Sequence, residues 1–138
     1  MKNSCVLDAC ALIAFFKREE GWDFVGDLIE KSVLGELRLS MSKYNLLEVY
    51  YGFYGNDGRE KAVETLQDSL LLPIRIVEDL NDAIFLEAGR LKATYGISLA
   101  DAVALGLASV TGESLVTSDH HELSVIDRHE EIDIIWFR

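Results

Sequence analysis

Residues 4–14, SCVLDACALIA, decide the fold that the sequence predicts: a short apolar run is followed by Asp8 and then by a second apolar run with helical spacing. This pattern is typical of a buried strand that ends at one exposed carboxylate before the chain returns as a covering helix. Ligand sites in open α/β sheets lie at the carboxyl ends of the strands, so we expect Asp8 to belong to a functional site. Capping of the following helix is an alternative role for an aspartate at this position.

Strand and helix patterns alternate along the rest of the chain. Further strands are predicted near residues 37–41, 74–76, 115–117 and 132–136. Helices are predicted over residues 12–16, 22–33, 44–54, 57–72, 80–95 and 99–110. The alternation predicts an α/β fold in one domain, residues 1–138, as a three-layer α/β/α sandwich with a five-stranded, mainly parallel sheet.

Two local interpretations concern residues 57–72 and the histidine pair. The spacing of Asp57 and Glu60 fits a capping box, and Val63, Leu66 and Leu70 are predicted to form the buried face of the helix that follows. His120 and His121 are interpreted as part of a solvated loop. Because adjacent side chains of an extended backbone point apart, at most one of these two rings is expected to face a site at Asp119.

The composition indicates a globular protein. Of the 138 residues, 49% are hydrophobic and 27% charged, and no apolar run approaches the roughly 20 residues that cross a bilayer. The residues after Met1 lack the pattern of a secretory leader, so we expect a cytoplasmic protein with no membrane contact. The two cysteines, Cys5 and Cys10, have no nearby histidine pair, and we interpret both as small core residues rather than zinc ligands.

The net charge of −11 argues against a protein that grips nucleic acid through a basic surface. Acidic residues number 24 against 13 basic ones. Such a surface is compatible with a metal-dependent enzyme, whose bound cations reverse the local field, and it suits a basic protein partner.

Three further acidic residues stand at positions that can converge with Asp8. Glu48 lies within an apolar helical surface, Asp101 follows Ser98 with capping-box spacing, and Asp119 comes just after a strand. Each has a simpler explanation: solvent exposure for Glu48, helix capping for Asp101, and an Asx turn or cap for Asp119. Together, however, four carboxylates at one sheet edge would repel one another without a cation, and oxygen ligands favour Mg²⁺ or Mn²⁺.

Four segments in this order resemble the PIN domain, in particular the VapC-like ribonuclease toxins: VLDACALIAFF, NLLEVYYG, SLADAVALGLA and LVTSDHHEL. The resemblance implies the strand order 3-2-1-4-5. It also implies that Asp8, Glu48 and Asp101 are the core acidic ligands, that Asp119 is the fourth, more variable one, and that Thr117 supports them. The chain departs from the family in one place. It has Ala9 and Cys10 where the family often has Ser, Thr or Asn, so a weak thiol donor stands where a hydroxyl or amide is common.

The resemblance further implies the activity and the partners. It implies an Mg²⁺- or Mn²⁺-dependent endoribonuclease that acts as the toxin of a toxin–antitoxin pair. It also implies a homodimer and a small antitoxin that lays a helix and a tail across the acidic groove. Core packing and a protein interface are favoured over base stacking for the aromatic residues near Glu48, which are Tyr44, Tyr50, Tyr51, Phe53 and Tyr54.

Two other functions are considered. The first is a non-catalytic PIN-like interaction module, whose carboxylates bind an arginine of a partner or cap helices. The second is a Mg²⁺-dependent phosphohydrolase of the haloacid dehalogenase type, whose motif would need an aspartate where this chain has Cys10.

Overall fold

A parallel sheet of five strands forms the centre of the protein: β1 Ser4–Leu7, β2 Arg38–Ser42, β3 Ile74–Val77, β4 Ser114–Thr117 and β5 Ile134–Trp136. The structure, a computed structural model, describes residues 3–138. The strand order is β3-β2-β1-β4-β5, and every neighbouring pair is parallel. Val6 of β1 lies opposite Ser40 on one side and Leu115 on the other. The order implied by the resemblance is therefore confirmed.

Helices cover both faces of this sheet: α1 Ala9–Lys17, α2 Trp22–Val33, α3 Lys43–Asp57, α4 Arg59–Leu71, α5 Asp82–Tyr95, α6 Leu99–Thr111 and α7 His120–His129. Side chains alternate along β1, so that Cys5 and Leu7 enter a core with α1 to α4, while Val6 enters a core with α5 to α7. The predicted three-layer sandwich is confirmed. Within residues 3–138, no helix combines the length and the apolar character needed to cross a bilayer.

Helix α6 is the most extensively buried of the helices that carry predicted site residues. Every residue from Asp101 to Ala108 is buried. At Gly106 a Cβ atom would come within 3.1 Å of the Ala88 backbone nitrogen, so α5 and α6 approach each other closely at this glycine. The small residues of this segment place the first turn of α6 firmly against the edge of the sheet.

The prediction for α4 was wrong in its start and in part of its buried face, since Leu66 packs against the core from a partly buried position but Leu70 does not. Helix α3 continues to Asp57, and the left-handed Gly58 ends α3 and begins α4 without a side-chain cap. The buried residues of α4 are Ala62, Thr65 and Ser69, whereas Leu70 is 58% exposed. Because α4 packs against α3, the small side chains face the neighbouring helix and allow close approach.

The loop predicted at His120 and His121 was also wrong, because both residues begin helix α7. Leu123 and Ile126, three residues apart, anchor this helix in the core. The His120 ring stacks on Trp136 with 4.0 Å between ring centroids, and its Nε2 lies 2.9 Å from the carbonyl oxygen of Arg138. These contacts hold the ring of His120 against the C-terminal segment.

Candidate metal centre

Three of the four predicted acidic residues lie at the starts of helices. Asp8 comes after β1 and caps α1, and Asp119 follows β4 and caps α7. Asp101 lies in the first turn of α6, behind the cap residue Ser98. Since these elements meet at the carboxyl edge of a parallel sheet, the three carboxylates lie on the same side of the molecule. Capping and site membership are therefore compatible for Asp8 and Asp119.

Asp8 is the most buried of these residues, with 2% of its surface exposed. Its Oδ1 accepts hydrogen bonds from the Ala11 amide at 3.1 Å and from the Cys10 thiol at 2.9 Å. Its Oδ2 accepts from the hydroxyl of Thr117, which lies at the end of β4. A carboxylate has about four acceptor positions, so Asp8 keeps capacity for one further partner. Burial raises the pKa of Asp8, and its three hydrogen bonds oppose this shift in part.

Cys10 packs against the core as predicted, from a partly buried position, and it also belongs to this hydrogen-bond network. Its half-buried sulfur donates to Asp8 and lies 3.3 Å from both the backbone nitrogen and the hydroxyl oxygen of Ser118, which donate to it. Burial, followed by the charge of Asp8, raises the pKa of the thiol to about 12. The thiol therefore stays protonated and able to donate. Cys5, in contrast, is a fully buried core residue as predicted.

Thr117 connects two of the predicted acidic residues. Its hydroxyl donates to Asp8, and the same oxygen accepts a hydrogen bond from the Asp119 amide at 3.1 Å. The side chain is fully buried. These contacts tie the end of β1 to the start of α7.

Asp101 and Asp119 come together with a third carboxylate, Glu122, that the sequence analysis did not identify. One oxygen from each lies within 4.8 Å of the others. Burial raises the pKa of Asp101 to about 10, and hydrogen bonding to Glu122 and Asp119 contributes to the shift. Glu122 was missed because a short helix after Asp119 was considered only as an alternative, in which Asp119 is its cap, and its first turn was not examined for further ligands. The helical spacing of Leu123 and Ile126 would have placed Glu122 in a first turn beside Asp119.

Glu48 approaches this group from α3. Its side chain is partly buried, and burial and the charges of Asp8, Asp119 and Glu122 raise its pKa. It does not belong to the set of three oxygens that lie within 4.8 Å of one another. Glu48 also borders a groove of about 240 Å³ lined by Tyr44, Leu47, Tyr51, Ser98, Leu99 and Ala100.

The aromatic residues near Glu48 divide between the core and the surface. Phe53 is buried, and Tyr50 packs against the same core from a partly buried position. Tyr44, Tyr51 and Tyr54 are exposed. These three residues are an exposed aromatic surface on α3, of which Tyr44 and Tyr51 line the groove.

The donor set and its electrostatics fit a hard divalent cation. Carboxylate oxygens are the ligands that Mg²⁺ and Mn²⁺ prefer. The raised pKa values of Asp8, Glu48 and Asp101 arise from burial and from neighbouring carboxylates, both of which a cation would offset. The residues around this edge can therefore hold a metal ion.

Comparison with known proteins identifies the family and the fold. A family model described as the PIN domain matches residues 5–128. No curated protein matches the sequence.

Solved toxin–antitoxin structures share the fold at low sequence identity. DNA-bound VapBC from Salmonella typhimurium has a TM-score of 0.73 at 17% identity and covers 99% of this chain and 100% of its own. VapBC2 from Rickettsia felis, bound to a DNA fragment from its promoter, has a TM-score of 0.72 at 16% identity, with 96% and 98% covered. VapC20 from Mycobacterium tuberculosis, a sarcin–ricin loop cleaving toxin, has a TM-score of 0.61 at 14% identity, with 80% and 86% covered.

Proposed function

Because this chain belongs to the PIN domain family, we propose that it is a metal-dependent endoribonuclease that hydrolyses RNA phosphodiester bonds, as the toxin of a toxin–antitoxin pair. The proposal treats residues 1–138 as one catalytic domain. The observation that carries it is the convergence of carboxylates at the carboxyl edge of the sheet, with one oxygen each from Asp101 and Asp119 inside a 4.8 Å cluster.

The proposed ligands of Mg²⁺ or Mn²⁺ are Asp8, Glu48, Asp101 and Asp119. A divalent ion bound there would polarise the phosphate, lower the pKa of a bound water and offset charge on the leaving oxygen. Neighbouring residues of the protein orient the proposed ligands. Thr117 and Cys10 hold Asp8 in one orientation, and the cap of α7 holds Asp119. Asp119 is proposed to orient the attacking water, since only its Oδ1 is engaged in the cap.

The partners of this toxin are proposed to be RNA, a second copy of the chain and a small basic antitoxin. Four of the similar structures are described as VapBC, and a fifth as a toxin–antitoxin complex. A net charge of −11 and the exposed aromatic surface of Tyr44, Tyr51 and Tyr54 favour a basic, partly apolar protein segment near the groove. Co-expression with the product of the adjacent gene should raise the soluble yield and suppress RNA cleavage. Unchanged yield and cleavage would contradict the antitoxin proposal.

Asp8→Asn tests the catalytic proposal directly. The amide keeps the volume and the cap of α1 but removes the charge, so Mn²⁺ binding and RNA cleavage should both be lost while the protein stays folded. Calorimetric titration with Mn²⁺ and cleavage of a mixed RNA pool measure the two effects. Asp68→Asn, on the exposed side of α4, is the matched control and should change neither. Full cleavage by Asp8→Asn would contradict the proposal, and a wild-type protein that binds no Mn²⁺ would favour the interaction module.

A further inference from the structure

The N-terminus of α6 carries half of a capping box. The hydroxyl oxygen of Ser98 accepts a hydrogen bond from the Asp101 amide at 3.3 Å. In a complete box, the acidic side chain at the position of Asp101 reaches back and accepts a hydrogen bond from the backbone N–H of the cap residue. Here that second bond is made by a different residue.

Glu122 of α7 accepts the Ser98 N–H in place of Asp101. Its two carboxylate oxygens lie 3.2 and 3.3 Å from the Ser98 nitrogen. The backbone of Glu122 is held at the start of α7, because its amide donates to Oδ1 of Asp119 at 3.2 Å. The start of α7 thus caps the start of α6.

Because Glu122 accepts the Ser98 N–H, the Asp101 carboxylate can make other contacts. An aspartate at this position of a capping box would be committed to the Ser98 N–H, with its oxygens turned along its own helix. Instead, an Asp101 oxygen lies within 4.8 Å of oxygens of Asp119 and Glu122. The side chain is 8% exposed, so its orientation is set by the protein rather than by solvent.

We propose that Glu122 is a positioning residue: by completing the capping box of α6 from α7, it leaves the Asp101 carboxylate to the metal centre. The proposal rests on the proposed function, which assigns Asp101 as a ligand. In the absence of Glu122, Asp101 turns back onto the Ser98 N–H and leaves the centre.

Two substitutions separate hydrogen bonding from charge. Glu122→Ala removes the acceptor and should weaken Mn²⁺ binding about tenfold or more, the usual effect of losing a residue that orients a metal ligand. Glu122→Gln keeps a carbonyl oxygen that accepts from Ser98 and should recover most of this loss. Asn81→Ala is the structural control. It removes the side-chain cap of α5, where Asn81 accepts from the Ile84 amide at 2.9 Å, so it should lower Tm while leaving Mn²⁺ affinity unchanged.

Amide exchange at Ser98 tests the same proposal without metal. In Glu122→Ala the Ser98 N–H should stay protected, because Asp101 replaces Glu122 as the acceptor. In the double variant Glu122→Ala/Asp101→Ala it should exchange much faster.

Several outcomes would overturn the positioning role. They are wild-type Mn²⁺ affinity in Glu122→Ala, an equal loss in Glu122→Gln and Glu122→Ala, or full exposure of the Ser98 amide in Glu122→Ala alone. A wild-type protein that binds no Mn²⁺ would contradict the proposed function instead, and the exchange measurement would still decide which residue caps α6.

Discussion

The thiol of Cys10 donates to Oδ1 of Asp8 across 2.9 Å, so a sulfur supplies one of the three hydrogen bonds to the most buried acidic residue at the candidate metal centre. Ser118 donates to the same sulfur through its amide and its hydroxyl. The departure from the family pattern at Cys10 is therefore matched by a network that uses the thiol both as donor and as acceptor.

Cys10→Ser should keep this network, whereas Cys10→Ala should weaken it. In the alanine variant, Oδ1 of Asp8 retains only the Ala11 amide, and Mn²⁺ affinity should fall about tenfold. Calorimetric titration measures the change. Cys5→Ala, in the core, should lower Tm without altering Mn²⁺ affinity. Equal affinity in the wild type and in Cys10→Ala would show that the thiol does not orient Asp8.

Thr117→Val should destabilise the protein and weaken the metal centre together. Valine has nearly the same volume but leaves Oδ2 of Asp8 and the Asp119 amide without their partner. Leaving buried polar groups unpaired costs about 1–3 kcal/mol, which urea denaturation would measure. The control is Thr111→Val, at an exposed threonine whose hydroxyl donates only to the Leu107 carbonyl within α6. A loss no greater than that of the control would contradict the connecting role of Thr117.

Without metal, stability should decline as pH rises from about 5 to about 8. The pKa values of Asp8, Glu48 and Asp101 are raised, so the native state binds more protons than the unfolded chain. This contribution is complete below the unfolded pKa of about 4 and is lost as pH rises through the native values, about 10 for Asp101. The lowered pKa of Glu122 acts in the opposite sense, but its contribution is complete above the unfolded value of 4.5 and is lost only at lower pH, so it leaves the decline from about pH 5 to about pH 8 unchanged.

Thermal unfolding in a chelator at several pH values measures this dependence. Asp101→Asn should flatten it, and Mn²⁺ should raise Tm more at about pH 8 than at about pH 5, because the ion competes with protons for the same oxygens. A Tm that increases over this range in the chelator would contradict the prediction.

Gly106→Ala and Gly89→Ala should change stability in opposite directions. Replacing a helical glycine by alanine stabilises the helix by about 1 kcal/mol when there is room. At Gly89 no atom lies within 4 Å of the added Cβ, so the gain should be seen. At Gly106 the added Cβ meets the backbone of Ala88, and overpacking should cost about 1–3 kcal/mol. Urea denaturation compares them, and stabilisation by both variants would show that α5 and α6 can separate.

The fold was predictable because its strongest patterns are local. The run ending at Asp8 and the small-residue helix after Ser98 each identify a buried element, and the alternation of strands and helices identifies the layers. The strand order came from the family resemblance, since periodicity alone does not decide which parallel strands are neighbours. The buried face of α4 was wrong in part: Leu66 packs against the core as predicted, but Leu70 is exposed, because the contact with α3 places small residues on the most buried side.

The sequence predicted the individual carboxylates of the site but not the hydrogen bonds that connect them. Asp8 and Asp119 were each weighed as either a cap or a ligand, and the structure shows that a carboxylate which caps a helix retains further acceptor capacity. Glu122 could not be connected to Ser98 from sequence, because 24 positions separate them and the contact depends on how two helices meet. The assignment of Asp8, Glu48, Asp101 and Asp119 as metal ligands stays a prediction.

The two helices that meet at this centre differ in how firmly the fold holds them. Eight consecutive residues of α6 are buried, from Asp101 onward, whereas α7 is anchored by Leu123 and Ile126. We therefore expect Asp101 to be a fixed reference point, and ions of different radius to be accommodated by small shifts of α7 with Asp119. In this chain, selectivity among divalent ions would then depend on how far the start of α7 can shift against the sheet.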